Sequence, residues 1–461
     1  MIINFISDSL PSYMNDVPEL LRAFSPYIVL DCNGTPVLIN VEELEGLVRV
    51  RIISEEYGEL VTEKGIDFAL NSLEYKRLAK RETKKLLYSF CNKITGINLP
   101  YGSLTGVRPT KLYYDMIGSY SNIKNIFVDE FSVEPKRAEL IEKVVQTQKG
   151  IYSNSPNEVD VFVNIPICPT RCKYCSFIST EYGRVKKLVP IYVDCVKNEI
   201  LEIKKRMVSG GYKVRSVYVG GGTPTSLTAE QLEELCSALN FGVEFTVEAG
   251  RPDSITEEKL KVLKDCGVTR ISVNPQTFKD ETLNILGRAH TTQQLYEAYY
   301  LANKYDFDIN MDLISGLPGE TFEDFRSSLE KAVALNPSNI TVHTLSLKRG
   351  STLKIEGKEK IMDGSIKRMT DFSIDYLSAS GYSPYYMYRQ KNMADGLENV
   401  GWCKSNKQCI YNIDYMEETT TVFSAGAGAM SKMVFHDNGR IERSCNPKGF
   451  EEYLRRKGLY K

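Results

Sequence analysis

Residues 159–175 read VDVFVNIPICPTRCKYC, an apolar strand that runs straight into a loop carrying three cysteines. Cys168, Cys172 and Cys175 fall at i, i+4 and i+7, and no fourth cysteine follows nearby. A free thiol is often just a small buried hydrophobe, which suits Cys195, Cys236 and Cys266, each inside a helical pattern. It suits the loop poorly. Pro166 and Pro169 oppose a core helix, and Arg171 and Lys173 favour thiolates over thiols. A structural zinc site takes four protein ligands, and a four-iron, four-sulfur cluster normally takes four cysteines. Three thiolates in one tight loop would leave one iron open; zinc and plain packing are the competing readings.

Downstream the rhythm is strand, loop, helix, repeated. VDVFVNI, VRSVYVGGG, VEFTVEAG, TRISVNP, DFDINMDLISG and NITVHTL read as buried parallel strands. Between them lie helical patterns at 190–208, 231–239, 257–267, 293–305 and 322–335. Right-handed crossovers wind such units into an α/β fold, a partial (β/α)6 TIM-like barrel. Cys168, Gly220–Gly222, Glu248, Asn274 and Asp312 sit at strand ends, the ligand-binding face of such folds. Three domains are expected: 1–155, α+β; 156–380, the partial barrel; and 381–461, a small module covering its mouth. In the first, YIVL, PVLIN and LVRVRIIS are strands. Residues 69–91 carry a helix with Tyr75, Leu78 and Leu86 on one face, interrupted by Glu82, and LPYGSLTGVRPTKL is a Gly/Pro loop.

CxxxCxYC after a first strand, with VGGGTPT at 219–225, resembles the signature of the radical S-adenosylmethionine (SAM) superfamily. VNIPICPTRCKYCSF, YVGGGTPT, VEAGRPDSIT, ISVNPQTFKDETLNILGRAH and NMDLISGLPGE narrow the likeness. They resemble the oxygen-independent coproporphyrinogen III dehydrogenases and the related haem chaperones. The whole chain is similar to the long dehydrogenase-like proteins of anaerobic Firmicutes. The resemblance implies a radical SAM barrel with a [4Fe-4S] cluster on Cys168, Cys172 and Cys175. S-adenosyl-L-methionine would occupy the open iron, and a low-potential donor such as flavodoxin or ferredoxin would reduce the cluster. Reductive cleavage would yield a 5′-deoxyadenosyl radical. By the same likeness Gly220, Gly221, Gly222 and Thr223 receive the methionine ammonium, and Glu248 contacts the methionine part. Arg288 pairs with its carboxylate, Gln276 and Asp312 bind the ribose hydroxyls, and Tyr174 stacks near adenine. Each alone also reads as a surface charge, a strand-end cap or a packing residue.

The implied reaction converts two propionates of coproporphyrinogen III to vinyl groups. A tetracarboxylate of large apolar area calls for cations and aromatics; Arg108, Lys111, Tyr388 and Arg389, beside Tyr385 and Tyr386, are the candidates. The dehydrogenase pattern YxHIPFC…CxFCxC meets Phe162, Asn164 and Phe177 here, and CxYCxF is closer to the chaperone branch. Haem binding through a lone histidine, His290 or His436, and radical modification of another tetrapyrrole are the alternatives. Cys403, Cys409 and Cys445 are too loosely spaced to suggest a second cluster. A net charge of -1 argues against a nucleic-acid partner. Eleven cysteines, an odd number in 461 residues, favour a reducing cytoplasm over a disulfide scaffold. The absence of an 18-residue apolar run argues against a membrane span.

Overall fold

The computed structural model describes residues 1–7, 10–25, 27–106, 108–177, 179–346, 351–352, 364–390, 396–437 and 439–458. The chain divides into two compact units, Met1–Glu142 with Arg389–Leu397, and Lys143–Tyr388 with Glu398–Lys461.

The first unit is built on a five-stranded sheet ordered β2-β1-β3-β4-β5. Its strands are β1 (Ile2–Ile6), β2 (Val29–Leu30), β3 (Thr35–Leu44), β4 (Leu47–Ser54) and β5 (Gly58–Gly65). LVRVRIIS alternates strictly, so Val48, Val50 and Ile52 all face the core. The helix expected at 69–91 forms at Leu73–Thr95, started by Ser72, whose hydroxyl accepts from the Tyr75 N–H. Tyr75 and Leu86 are buried there as the pattern requires. Glu82 does not break the face: it is itself buried, ion-paired to Lys85 one turn on. Part of the 99–112 loop is helical, since Pro109 opens a helix running to Met116 and Lys111 lies exposed on it. Val107 of that loop lies outside the described residues.

In the second unit six strands follow one another in parallel: β6 (Glu158–Ile165), β9 (Lys213–Gly221), β10 (Glu244–Val247), β11 (Arg270–Ser272), β12 (Asp308–Ser315) and β13 (Asn339–Thr344). Helices Val189–Ser209, Ala229–Ser237, Glu257–Asp265, Thr292–Asn303 and Phe322–Ala334 separate them. Thr228, Thr291 and Thr321 start three of these helices with capping boxes. The result is an α/β fold with mixed sheets resembling a partial barrel. Between β6 and β9 a short parallel pair, β7 (Ile167–Cys168) and β8 (Thr180–Glu181), closes the root of the cysteine loop.

Residues beyond 381, expected as a separate covering module, lie largely in this same sheet. β14 (Ser383–Arg389) and β15 (Glu398–Cys403) extend one edge, with β15 antiparallel to β13. β16 (Thr421–Ala425), β17 (Met430–Phe435) and β18 (Arg440–Cys445) extend the other, with β16 parallel to β6. Among the described residues the sheet has eleven strands.

Helix Ile410–Glu417 packs aromatics against the strands. Tyr411 stacks on Tyr218 at 4.5 Å and on Phe162 at 6.0 Å. Beside them lies a buried charge layer. Arg215 Nε donates to Asp414 at 2.5 Å, and its Nη2 donates to the Ile151 carbonyl. Burial raises the Asp414 carboxyl well above the carboxylate range even with that partner. Arg215→Met takes the cation from a buried carboxyl and should cost about 3–5 kcal/mol in urea unfolding above about pH 8, where the unfolded chain ionises Asp414 and the fold resists it.

Candidate functional site

β6 and β9 pair so that Asn164 opposes Gly220 and Ile165 opposes Gly221. The ladder continues past the strand ends: the Gly222 N–H donates to Ile165 O at 2.9 Å, and the Thr223 N–H to Ile167 O at 2.7 Å. The glycine run is thereby zipped to the segment that leads into Cys168. A Cβ on Gly222 would lie 2.6–2.7 Å from the carbonyl oxygens of Ile167 and Ile165. Gly221 has φ +101, closed to other residues, and a Cβ there would overlap the Asn164 amide. A Cβ at Gly220 would sit 2.8 Å from both Tyr218 and Glu248. Gly222 is required for the approach of two backbones, Gly221 for its conformation and the Asn164 side chain, and Gly220 for the side chains of Tyr218 and Glu248.

Each cysteine of the loop is half-buried. The Thr223 hydroxyl points at Cys168 Sγ, 3.6 Å away. The Lys173 N–H donates to Leu286 O and the Cys175 N–H to Cys172 O, fixing the loop against the Leu286–Arg288 turn. Burial pushes the Cys175 thiol up to about 11 and raises that of Cys168. Among the described residues no three His, Cys, Asp or Glu side chains are gathered around the point a single ion would take. A four-iron cluster spreads its cysteines over separate irons, and three thiols along one pinned loop fit that donor set.

Glu248 follows β10 and accepts from the Tyr218 hydroxyl at 2.7 Å. Burial pushes its carboxyl up to about 7. A ligand ammonium beside it would restore the charge. Asp312 behaves oppositely. Burial alone would raise it, but His343 and the Asn310 amide hold it below its ordinary value. Asn274 grips the same residue twice, donating to its carboxylate at 2.8 Å and accepting from its N–H at 3.1 Å. Gln276 is a buried residue with φ +64, its N–H donating to Asp312 O at 2.8 Å. Such a backbone outlier off glycine marks stored strain, common where ligands bind.

Arg288 donates to Gly250 O, Asn274 O and the Tyr174 hydroxyl at 2.9, 2.8 and 3.1 Å. Its Nε is buried without a partner, a donor left for an acceptor the chain does not supply. Tyr174 packs on Leu286, Ile314 and Leu317. The structure thus brings the cysteine loop, the glycine run, Glu248, Gln276, Arg288, Asp312 and Tyr174 to one end of the parallel strands.

The candidate substrate residues are not gathered in this way. Arg108, Lys111 and Arg389 belong to the first unit, and Tyr388 to the second. Arg389 donates to the carbonyls of Leu104 and Gly396 and lies over the Tyr101 ring. Tyr385 and Tyr386 are core residues. His290 is buried and held neutral, its pKa lowered to about 3 by burial and by Arg288. His436 bonds Asn154. Cys403 and Cys409 are buried and Cys445 is exposed.

Sequence reasoning missed Tyr218, Asn164 and Arg251. Tyr218 stands two residues before Gly220 on one strand face, so its reach to Glu248 was readable. Asn164, noted only as a departure from a pattern, donates to Ala427 O and so ties the small-residue loop after β16 to the glycine run. Arg251 had a signal as well, a carboxylate two residues on at Asp253.

Residues 164–332 match the model of the radical SAM superfamily, the class that this fold and loop define. The oxygen-independent coproporphyrinogen-III oxidase-like protein HemZ of Bacillus subtilis is 36% identical over 435 residues, 88% of this chain and 85% of the relative. The haem chaperone HemW of the same organism is 34% identical over 40% of this chain and 49% of its own. In fold, the chain is similar to coproporphyrinogen III oxidase (HemN) from Escherichia coli, a radical SAM enzyme. The TM-score is 0.53 at 21% identity, covering 70% of this chain and 73% of that one. The chain belongs to the HemN/HemZ-like family of radical SAM proteins.

Two outcomes check the site. Gly222→Ala should weaken S-adenosylmethionine binding by about tenfold or more in calorimetric titration, a loss of ~1.4 kcal/mol. In the ligand-free protein, folded Glu248 keeps a proton that the unfolded chain releases above its ordinary value of 4.5. Its contribution to stability therefore falls as pH rises from 4.5 to about 7. Glu248→Gln should flatten that part of the slope in thermal melts between about pH 5 and 8.

Proposed function

We propose that this protein is a radical SAM oxidoreductase of tetrapyrrole metabolism, converting propionates of coproporphyrinogen III to the vinyl groups of protoporphyrinogen IX. The observation that carries this reading is the extent of the likeness. The superfamily model covers residues 164–332, whereas similarity to HemZ covers 88% of the chain, well outside the cofactor-binding core.

Cys168, Cys172 and Cys175 would hold the [4Fe-4S] cluster. Gly220–Gly222 and Thr223 would receive the methionine ammonium, with the Glu248 carboxylate, kept in place by Tyr218, as its counter-charge. Gln276 and Asp312 would meet the ribose hydroxyls, with Asn274 holding the carboxylate plane. Arg288 would pair with the methionine carboxylate, and Tyr174, hydrogen-bonded to it, would lie near the adenine. When bound, cluster and S-adenosylmethionine supply one-electron sulfonium cleavage and hydrogen-atom abstraction. Each propionate would then lose a β-hydrogen, CO2 and one electron to an acceptor. A low-potential protein of the flavodoxin or ferredoxin class would feed the cluster. Among the described residues no helix is long and apolar enough to cross a membrane.

A second reading, haem chaperone, is favoured by one specific feature. Phe162 offers no hydroxyl and is locked against Tyr411, while Phe177 stands where the dehydrogenase pattern has a cysteine. Anaerobically reconstituted protein given reductant, S-adenosylmethionine and coproporphyrinogen III should release methionine, 5′-deoxyadenosine and protoporphyrinogen IX, resolved by mass spectrometry. Haem retained without tetrapyrrole turnover would identify the chaperone, and a ring-altered product a different tetrapyrrole reaction. Zinc in place of iron, with no cleavage of S-adenosylmethionine, would overturn the radical reading altogether.

A further inference from the structure

Arg251, just past the end of β10, is 3% exposed, and each of its three guanidinium nitrogens has a defined partner. Asp253 takes Nε and Nη2 at 2.9 and 2.8 Å, a bidentate grip that fixes the guanidinium plane. The opposite side meets the cysteine loop: Nη1 donates to Thr170 O at 3.1 Å and Nη2 to Thr170 Oγ1 at 3.0 Å. Nη1 also lies 3.8 Å from Cys172 Sγ. Arg288 Nη1 approaches the same sulfur at 4.0 Å. Two buried guanidinium groups thus converge on one cysteine of the three, whereas Cys168 is met by the hydroxyls of Thr223 and Ser179.

The two arginines differ electrostatically. Asp253 fixes the Arg251 plane and offsets its charge, so losing Arg251 and losing Asp253 change the charge beside Cys172 in opposite directions. Arg288 is bonded to carbonyls and a phenol, none of which cancels its charge. Hydrogen bonds to cluster sulfurs are among the levers that set reduction potential, because they stabilise the extra negative charge of the reduced state.

We propose that Arg251 is a positioning residue for the cluster ligand Cys172, anchoring the cysteine loop to the end of β10 and raising the cluster's reduction potential through the sulfur. The step affected is one-electron reduction of the cluster by a low-potential carrier; no bond forms or breaks in it. The inference rests on the cysteine loop being a [4Fe-4S] site.

The test is a redox titration followed by electron paramagnetic resonance on reconstituted full-length protein, with iron and sulfide content measured alongside. Arg251→Gln should shift the reduction equilibrium about tenfold toward the oxidised cluster, ~59 mV for a one-electron couple. Asp253→Asn leaves the guanidinium uncancelled and should move the potential the other way. Arg251→Lys keeps the charge but lacks the planar fork, and should fall between wild type and Arg251→Gln. Arg184→Gln, an exposed charge on the same stretch of chain, should leave the potential unmoved. Opposite signs for the first two variants cannot come from loosened folding. If Arg251→Gln does not fold, Asp253→Asn and Arg251→Lys still decide the matter. Full iron content with unmoved potential, or shifts of one sign in Arg251→Gln and Asp253→Asn, would overturn the inference alone. Wild-type protein that takes up no four-iron cluster would overturn the underlying reading with it.

Discussion

Two backbone hydrogen bonds, Gly222 N–H to Ile165 O and Thr223 N–H to Ile167 O, hold the site together. They carry the β6–β9 ladder past its last regular pair and into the loops, where a strand normally ends. They can form only because position 222 has no side chain, whose Cβ would meet the carbonyls of Ile165 and Ile167. That zip sets how far Cys168 stands from Thr223. On the other edge of β9 the Glu248 N–H donates to Val219 O at 2.9 Å, which brings Glu248 within reach of Tyr218.

Around this seam the polar groups are sorted by environment. Glu248 carries a burial penalty that its Tyr218 and Gly221 donors do not offset, so it holds its proton near neutrality. Asp312, with two amide donors and a neighbouring imidazole, is kept ionised. One carboxyl is prepared to gain its charge with a cationic ligand, and the other to accept hydroxyl donors as it stands. The same division of labour separates Arg251, neutralised by Asp253, from Arg288, which keeps its full charge.

Much of this was legible in the residues. Parallel strands announce themselves as apolar runs, and all six carried that signature, five of them with a polar or glycine residue at the end. The glycine run was legible as a place for close approach, which Gly222 meets against two backbone carbonyls. What escaped had physical causes. β5, GELVTEKG, is an exposed edge strand with no apolar alternation to detect. Glu82 looked like an interruption because burial of a carboxylate depends on a partner, Lys85, that hydropathy does not see. Arg389 looked like a free cation for a substrate, yet its donors are committed to carbonyls of its own unit. The destination of β16 beside β6, across more than 250 residues of sequence, is a tertiary fact that no local pattern encodes.

That last pairing has a consequence for how the protein comes into being. β6 leads directly into the cysteine loop, and one of its edges is satisfied only by residues Thr421–Ala425. During synthesis from the N-terminus, β9 arrives early, but the other edge of β6 has no partner until residues 421–425 are made, more than 250 residues later. An unpaired strand edge is a template for wrong pairings. The segment that roots the three thiols is therefore translated long before that edge can be paired.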